Sequence, residues 1–227
     1  LPRIDVAWER VSATVAGLRG PVALDVTPFA APSRFVTVDA LIISHLTGGA
    51  TVATDPTNAS RTMLYDIERR EYCDEMLGLF GLDRSMLADV ENSAGDFGHA
   101  RINGTAVPIR GVLGDQQAAL FGQGCWDAGS AKITYGTGCF LLLNTGQRRA
   151  HSAAGLLTTI GADATGAPCF ALEGSAFAGG SVVQWLRDGL GVIEEASESA
   201  SIAMSVEDTG GVVLVPAFAG LGAPHWD

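Results

Sequence analysis

Helical spacing of apolar residues dominates the first half of the chain. It predicts helices over residues 6–18, 38–46 and 74–80, each followed by a glycine, and a short strand over 22–26. Between them, residues 54–61 are polar and predict a loop held by its own Thr, Asn and Ser side chains. The first half is therefore expected to be rich in helices joined by turns.

Paired strand patterns dominate from about residue 97 onward. Three pairs of strand-forming runs are separated by turn residues and predict β-hairpins: 97–102 with 106–110, 131–135 with 139–144, and 156–161 with 168–173. Helices are predicted over 181–190 and 193–204, and a buried strand over 212–216. Strands mixed with helices predict an α/β architecture with a mixed sheet. The pattern changes at Gly111, so we expect a domain boundary there, between residues 1–110 and 111–227.

The composition is that of an acidic globular protein. Hydrophobic residues make up 47% of the 227 residues and charged residues 17%, which allows a sizeable core. No apolar run is long enough to predict a membrane span. The formal net charge of -11 would repel nucleic acid, whereas a nucleotide can still be held by local N–H groups and a metal ion. Small-molecule partners are therefore favoured.

Cysteine and histidine spacing argues against a metal centre. The four cysteines form no Cys-x-x-Cys pair, and Cys139 and Cys169 lie in apolar strand patterns, so we expect reduced core thiols in a cytoplasmic protein. The four histidines are scattered, so no zinc site is expected. Because the chain begins without Met and ends just after Gly-Ala-Pro, we expect it to be part of a longer polypeptide.

Asp115 lies between the apolar pair Val112-Leu113 and a helical pattern over 116–123. A carboxylate at the end of a strand could take a proton from an alcohol bound beyond the strand. The structural alternative is a helix N-cap, because Asp before Gln-Gln-Ala-Ala-Leu begins a helix well. The two interpretations are compatible, since an N-cap carboxylate can still point one oxygen into a cleft.

Gly136-Thr137-Gly138 separates two predicted strands. Glycines let backbone N–H groups approach a phosphate, and the threonine adds a hydroxyl donor. The run is neither a Walker A loop, which needs Gly-Lys-Ser/Thr, nor a dinucleotide fingerprint, which is followed by a helix. The structural alternative is a hairpin turn whose glycines adopt positive φ.

Gly179-Gly180 is a second candidate for phosphate binding. It precedes a predicted helix, whose N-terminus would offer free N–H groups and a partial positive charge. Gln184, one turn later, could then reach a nucleobase or a sugar. The structural alternative is close packing of the helix on a sheet. Lys132 and Arg187 are assigned no role, because Lys132 is expected to be exposed on its strand and Arg187 lies on a polar helix face.

Several runs of the sequence resemble one family. They are GDQQAALFGQG, AKITYGTGCFLLLNTG, GLLTTI, ALEG, QWLRD and VPAFAGLGAPHWD, with TVDALIISHLTGG and TDPTNASRTMLYDI upstream. Over residues 36–227 the chain is similar to the FGGY family of carbohydrate kinases, and within it to the glycerol kinase branch. The resemblance implies a two-domain kinase with an actin-like (ribonuclease H-like) ATPase fold, of which this chain holds the end of the first domain and the start of the second.

The resemblance also implies a reaction, the ATP-dependent phosphorylation of glycerol to glycerol 3-phosphate with Mg²⁺. Asp115 matches the general base, Gln116 a neighbour that bonds another glycerol hydroxyl, and Phe140 an aromatic that packs on the glycerol carbons. The residues that match the nucleotide side of the cleft are Gly136, Thr137, Gly138, Gly180 and Gln184. A cytoplasmic enzyme that is a homo-oligomer at full length is implied as well.

Some family features have no match in the sequence. The first phosphate loop, a metal-associated aspartate and the Arg, Glu and Trp that grip glycerol are not found, and the adenine-binding glycines would lie beyond Asp227. Pro28-Phe29 lacks the phenol of the family's Pro-Tyr-Phe stretch, and residues 103–106 lack the Arg of its sugar-bisphosphate loop. The chain by itself is therefore expected to be inactive. Two alternatives stay open: another FGGY kinase acting on a pentulose or tetritol, and an inactive remnant with a binding or structural role.

Overall fold

The computed structural model describes residues 34–227, so the elements expected over 6–18 and 22–26 lie outside the described part. Its helices are α1 (Val38–Leu46), α2 (Pro56–Ala59), α3 (Asp74–Phe80), α4 (Asp115–Gly122), α5 (Gly180–Asp188) and α6 (Glu198–Met204), with 3₁₀ turns at Ser60–Thr62 and Arg84–Met86. Its strands are β1 (Ala53–Thr54), β2 (Tyr65–Asp66), β3 (Glu71–Tyr72), β4 (Asp89–Val90), β5 (His99–Ile102), β6 (Thr105–Pro108), β7 (Ala131–Tyr135), β8 (Cys139–Gly146), β9 (Leu157–Ala162) and β10 (Pro168–Ala176).

The largest sheet is antiparallel, with the strand order β7-β8-β10-β9. Its two hairpins confirm the predicted pairs of strands, although β8 and β10 run two and three residues further than expected. β10 forms the interior of the sheet with β8, and eight of its nine residues are buried. A strand covered on both faces reads as a continuous apolar run, which is the pattern that residues 168–172 show.

The α/β class is confirmed, with both kinds of strand pairing. β1 and β4 pair in parallel, while β2–β3 and β5–β6 are antiparallel. In the β5–β6 hairpin, Asn103 and Gly104 adopt φ of 51° and 82°. Two successive left-handed residues are the requirement of a type I′ turn, which explains why this dipeptide predicted the hairpin correctly.

Helix α4 packs on the large sheet through a small apolar cluster. Leu120 of α4 and Leu142 of β8 are 1% and 0% exposed, and Cys125 completes the cluster. Truncating one buried leucine of this kind to alanine typically costs about 2–5 kcal/mol. This contact fixes α4, and with it the position of Asp115, over one face of the sheet.

Most of the segment 54–61 is helical, since α2 covers Pro56–Ala59 and a 3₁₀ turn follows from Ser60, so the loop predicted there is wrong. Asp55 caps α2, because its carboxylate accepts the N–H groups of Thr57 and Asn58 at 3.2 and 3.0 Å. Pro56 occupies the first helical position, where the absence of an N–H costs nothing. A helix of four residues is too short to show a helical period, so its polar composition was misleading.

The strand predicted over 212–216 is also wrong. Val213 is 82% exposed, and none of the strands in residues 34–227 pairs with this run. Apolar β-branched composition predicts a strand only where another strand can satisfy its backbone N–H and C=O groups. The helix expected from residue 193 begins instead at Glu198. Within the described residues, every helix is too short or too polar to cross a lipid bilayer.

Candidate active site

Asp115 is exposed and is the first residue of α4, directly after the N-cap residue Gly114. The N-cap expectation is therefore wrong by one position, and so is the expected strand before it, since Val112 instead donates its N–H to the Ser93 carbonyl at 2.9 Å. The Asp115 carboxylate accepts the Gln116 N–H at 2.8 Å. A carboxylate in the first helical turn is also stabilised by the partial positive charge of the helix N-terminus.

A buried polar network holds the backbone immediately before Asp115. We call Asp55, Thr57, Asn58, Ser93 and Gly114 the Asp55 cluster. The Asp55 carboxylate is 0% exposed and accepts the hydroxyls of Thr57 and Ser93 at 2.8 and 2.6 Å and the Asn58 amide at 2.8 Å. The Thr57 oxygen accepts the Gly114 N–H at 2.8 Å. The start of α4 is thus tied to a carboxylate 60 positions earlier in the chain, and the polarity of residues 54–61 was the sequence signal for it.

Lys132 was expected to be exposed, and that expectation is wrong. It is 2% exposed, and its ammonium donates to Gln116 Oε1 and, at 2.8 Å, to Thr134 Oγ1. Burial lowers the pKa of Lys132 below its ordinary value, against the opposing effects of the Asp115 and Glu173 charges. The sequence signal was the alternation within β7, where Lys132 and Thr134 must project from the same face.

Strand register places Phe140 on that same face. Thr134 of β7 lies opposite Phe140 of β8, and Lys132 lies opposite Leu142. Residues directly opposite each other on neighbouring strands project to the same side of a sheet. The structure therefore brings Gln116 and Phe140 to one face, with Asp115 at the edge of α4 above it.

A row of alternating charges runs along this face. We call Arg61, Glu173, Lys132 and Asp115, with the neutral Gln116 between the last two, the charged strip. Arg61 donates to both oxygens of Glu173, at 2.8 and 3.3 Å, and the Glu173 side chain is 8% exposed. Glu173 lies opposite Leu142, which in turn lies opposite Lys132. The strip ends at the exposed carboxylate of Asp115.

The β7–β8 turn at Gly136–Gly138 is held by the start of α5. Gly179 and Gly180 donate their N–H groups to the carbonyls of Thr137 and Gly136, each at 2.7 Å, and Ser181 donates its N–H and hydroxyl to Thr137 O at 3.2 and 2.9 Å. The expectation of free N–H groups at this helix N-terminus is therefore wrong for these three residues. The alternative expectation, close packing, describes their role.

Close packing requires glycine at Gly138 of the turn and at Gly180 of α5. Neither Gly136 nor Gly138 has positive φ, contrary to the expectation for a hairpin turn. A Cβ on Gly138 would lie 2.6 Å from the Ala176 carbonyl oxygen, and a Cβ on Gly180 would lie 2.8 Å from the Gly136 carbonyl oxygen. Both distances are shorter than real Cβ contacts, so a larger residue at Gly138 would force the turn away from the end of β10, and one at Gly180 would force α5 away from the turn.

Donors remain uncommitted on this turn, at the exposed Thr137 and at the buried Gly138. Within residues 34–227, the N–H groups of Thr137 and Gly138 and the hydroxyl of Thr137 have no hydrogen-bond partner outside strand pairing. Thr137 is exposed, and a Cβ on Gly138 would lie 3.4 Å from Cε2 of the Phe140 ring. Uncommitted backbone and hydroxyl donors of this kind can bind phosphate oxygens. Gln184 is exposed one turn into α5.

Two family models match the chain, one for each domain of the same family. The N-terminal domain model of the FGGY family of carbohydrate kinases matches residues 27–122, and the C-terminal domain model matches residues 131–227. Together they account for most of the sequence.

Curated relatives agree with this match. The chain is 52% identical over 193 residues to a glycerol kinase from Shewanella frigidimarina and 55% identical over 195 residues to one from Aromatoleum aromaticum. Each alignment covers 85% of this chain and 39% of the relative. The chain thus spans well under half the length of the relatives that it matches.

Solved structures show the same fold. Glycerol kinase from Plasmodium falciparum, solved with ADP, is 41% identical with a TM-score of 0.74, over 84% of this chain and 38% of that one. A xylulose kinase from Lactobacillus acidophilus gives a TM-score of 0.69 at 19% identity, over 86% of this chain and 40% of that one. At that identity the second likeness establishes the fold and nothing finer.

Proposed function

Because the chain belongs to the FGGY family of carbohydrate kinases, we propose that the full-length protein transfers the γ-phosphoryl group of ATP to glycerol. Identities of 52% and 55% to glycerol kinases support this acceptor. The observation that carries the proposal is the arrangement of Asp115. It is an exposed carboxylate at the start of α4, next to Gln116 and over the sheet face that holds Phe140. The β7–β8 turn of the same sheet carries uncommitted donors.

In this proposal Asp115 is the general base. Its carboxylate takes the proton of a primary hydroxyl as that oxygen attacks the γ-phosphorus. A P–O bond forms to the polyol, the bond from the γ-phosphorus to the bridging oxygen breaks, and ADP leaves with that electron pair. Such a transition state is loose, so positioning and electrostatics supply most of the catalysis.

Gln116 and Phe140 would hold the acceptor. The Gln116 amide nitrogen lies 3.3 Å from Asp115 Oδ2 and has two hydrogens, so one remains for a second polyol hydroxyl. Phe140 is half-buried on the same face and can cover the carbon backbone of a small polyol. Glycerol, with three carbons and three hydroxyls, suits such a combination.

The β7–β8 turn would hold the nucleotide phosphates. Thr137 and Gly138 would donate to phosphate oxygens, Gly136 and Gly180 would keep the turn and α5 in contact, and Gln184 would face the nucleoside. Mg²⁺ would enter with ATP and neutralise charge on its phosphates. No step of the reaction is assigned to an ion bound by these residues.

A coupled ADP-release assay on the full-length protein tests the proposal. We expect glycerol to give the highest kcat/KM in a panel that also contains xylulose and erythritol. Faster turnover of xylulose would contradict glycerol as the substrate and favour another FGGY activity. If none of the three polyols causes ADP release, a binding or structural role is favoured. The 227-residue chain by itself is expected to give no activity.

A further inference from the structure

Lys132 is unusual in its residue type and in its burial. It is the only lysine of the chain, since the other 13 of its 14 basic residues are arginines. It lies in the middle of β7 at 2% exposure, opposite the fully buried Leu142. A buried ammonium costs several kcal/mol unless charges and hydrogen bonds compensate for it. An apolar residue would fill this position at lower cost, so packing does not explain the lysine.

The charge of Lys132 is compensated by α4, which packs on the sheet, and by β10, which lies two strands away in the same sheet. Asp115 on α4 and Glu173 on β10 both interact with it favourably, and Thr134 accepts one of its hydrogen bonds. Another hydrogen bond goes to Gln116 Oε1. This last contact connects a residue buried in the sheet to the pair of residues at the mouth of the site.

We propose that Lys132 is a positioning residue that fixes the Gln116 amide and, through it, the Asp115 carboxylate. An ammonium has three donors and no acceptor, so it can bond the oxygen of an amide and cannot bond its nitrogen. The Gln116 oxygen must therefore face Lys132, and the amide nitrogen faces Asp115 Oδ2 at 3.3 Å. Without the ammonium, a rotated amide would place its oxygen against the carboxylate and lose the donor to the polyol.

This inference rests on the proposed function for its kinetic consequences. If Gln116 donates to a polyol hydroxyl and orients the base, loss of Lys132 weakens both effects. KM for the polyol rises and kcat falls, whereas KM for ATP stays the same, because the ATP-facing turn lies outside these contacts. A purely structural lysine would lower the amount or stability of folded enzyme and leave KM for the polyol unchanged.

A double-mutant cycle in the full-length protein tests the inference. We expect Lys132→Met to lower kcat/KM for the polyol about 10- to 100-fold, the loss expected for one hydrogen bond to a charged group. Gln116→Ala should cause a similar loss, and the double variant should be no worse than Gln116→Ala alone. Additive losses, or an unchanged KM for the polyol in Lys132→Met, would overturn the inference.

Two further measurements keep the inference separable from folding and from the identity of the substrate. In Lys132→Ala, added n-propylamine should restore part of the lost rate, whereas n-propanol at the same concentration should not; equal effects of the two would contradict an ionic role. The side-chain amide resonance of Gln116, identified by its loss in Gln116→Ala, should shift in Lys132→Met. That shift does not depend on the substrate. If the wild-type protein phosphorylates no polyol, the proposed function is refuted, and the shift is still expected. An unchanged resonance would refute the positioning role.

Discussion

Two buried carboxylates lie near Asp115, and they are satisfied in opposite ways. Among the described residues, Asp55 accepts only from neutral donors, namely hydroxyls, an amide and two backbone N–H groups. Glu173 is bound by the Arg61 guanidinium and interacts with the Lys132 charge. The Asp55 cluster closes on itself at the backbone of Gly114. The charged strip instead ends at an exposed acid.

The difference separates a structural role from a chemical one. A carboxylate surrounded by neutral donors is held in one geometry, and the group it holds, the Gly114 N–H, is backbone that takes no part in chemistry. Burying a strip of alternating charges costs more free energy than burying one carboxylate among neutral donors. We interpret that cost as a sign that the charge at the end of the strip takes part in chemistry. By this comparison the Asp55 cluster sets where Asp115 lies, and the charged strip sets how its carboxylate is oriented.

The largest effect on stability is expected for Asp55→Ala. It leaves the Thr57 and Ser93 hydroxyls and two backbone N–H groups buried without their acceptor, and each unsatisfied group costs about 1–3 kcal/mol. We expect the free energy of unfolding, measured with denaturant on the full-length protein, to fall by about 3 kcal/mol or more. Asp96→Ala is the matched control, because Asp96 forms an exposed ion pair with Arg110 at 2.9 Å. A loss for Asp55→Ala as small as that of the control would contradict the anchoring role.

A smaller effect is expected for Arg61→Gln. Glu173 would keep the Lys132 charge and a 3.4 Å contact with the Ser175 hydroxyl, so it would not be left wholly uncompensated. Because Arg61 is half-exposed, we expect a loss of about 1–2 kcal/mol in the free energy of unfolding. Arg149→Gln, which breaks the exposed pair with Glu68, serves as the control. If Arg61→Gln lowered the free energy of unfolding more than Asp55→Ala does, the charged strip and not the Asp55 cluster would be the main structural anchor.

The smallest effect is expected for Asp163→Asn. Like Asp55, Asp163 accepts hydrogen bonds from a hydroxyl and from backbone N–H groups, but it lies in an exposed turn. Asp163 accepts the N–H and hydroxyl of Thr165 at 2.8 and 2.6 Å and the Ala167 N–H at 3.1 Å. The Thr165 hydroxyl and these N–H groups lower the pKa of Asp163. A lowered folded-state pKa stabilises the fold above the ordinary aspartate pKa, and that contribution is lost as pH falls through the lowered value.

For this exposed turn the stabilisation is a few tenths of a kcal/mol, on the order of a surface interaction. The expected result is that wild type and Asp163→Asn differ slightly at pH 7 and converge as pH falls below the ordinary range of an aspartate. Denaturant unfolding at a series of pH values measures it. A difference that grows on acidification would have the wrong sign.

Local patterns predicted most of the fold, and long-range contacts account for what they missed. Hairpins were predictable because the turn residues and the alternating apolar and polar side chains of both strands are close together in the sequence, as around Asn103-Gly104. The burial of Lys132 depends on pairing with Leu142 and on α4 lying above, neither of which is visible in β7 alone. The reason for Gly138 lies 38 residues away, at the carbonyl of Ala176. Asp115, Gln116 and Phe140 were identified by family resemblance, since pattern alone favoured a helix N-cap for Asp115.

The most direct test of the central claim, that Asp115 is the base of a polyol kinase, is the turnover of Asp115→Asn in the full-length protein. The substitution keeps the shape of the side chain and removes its ability to accept a proton. We expect kcat for glycerol to fall about 10²- to 10⁴-fold, the usual contribution of a general base, with ATP affinity by calorimetry unchanged. The exposed Asp127→Asn, matched in chemistry, should keep wild-type kcat. A near-normal kcat in Asp115→Asn would contradict the claim.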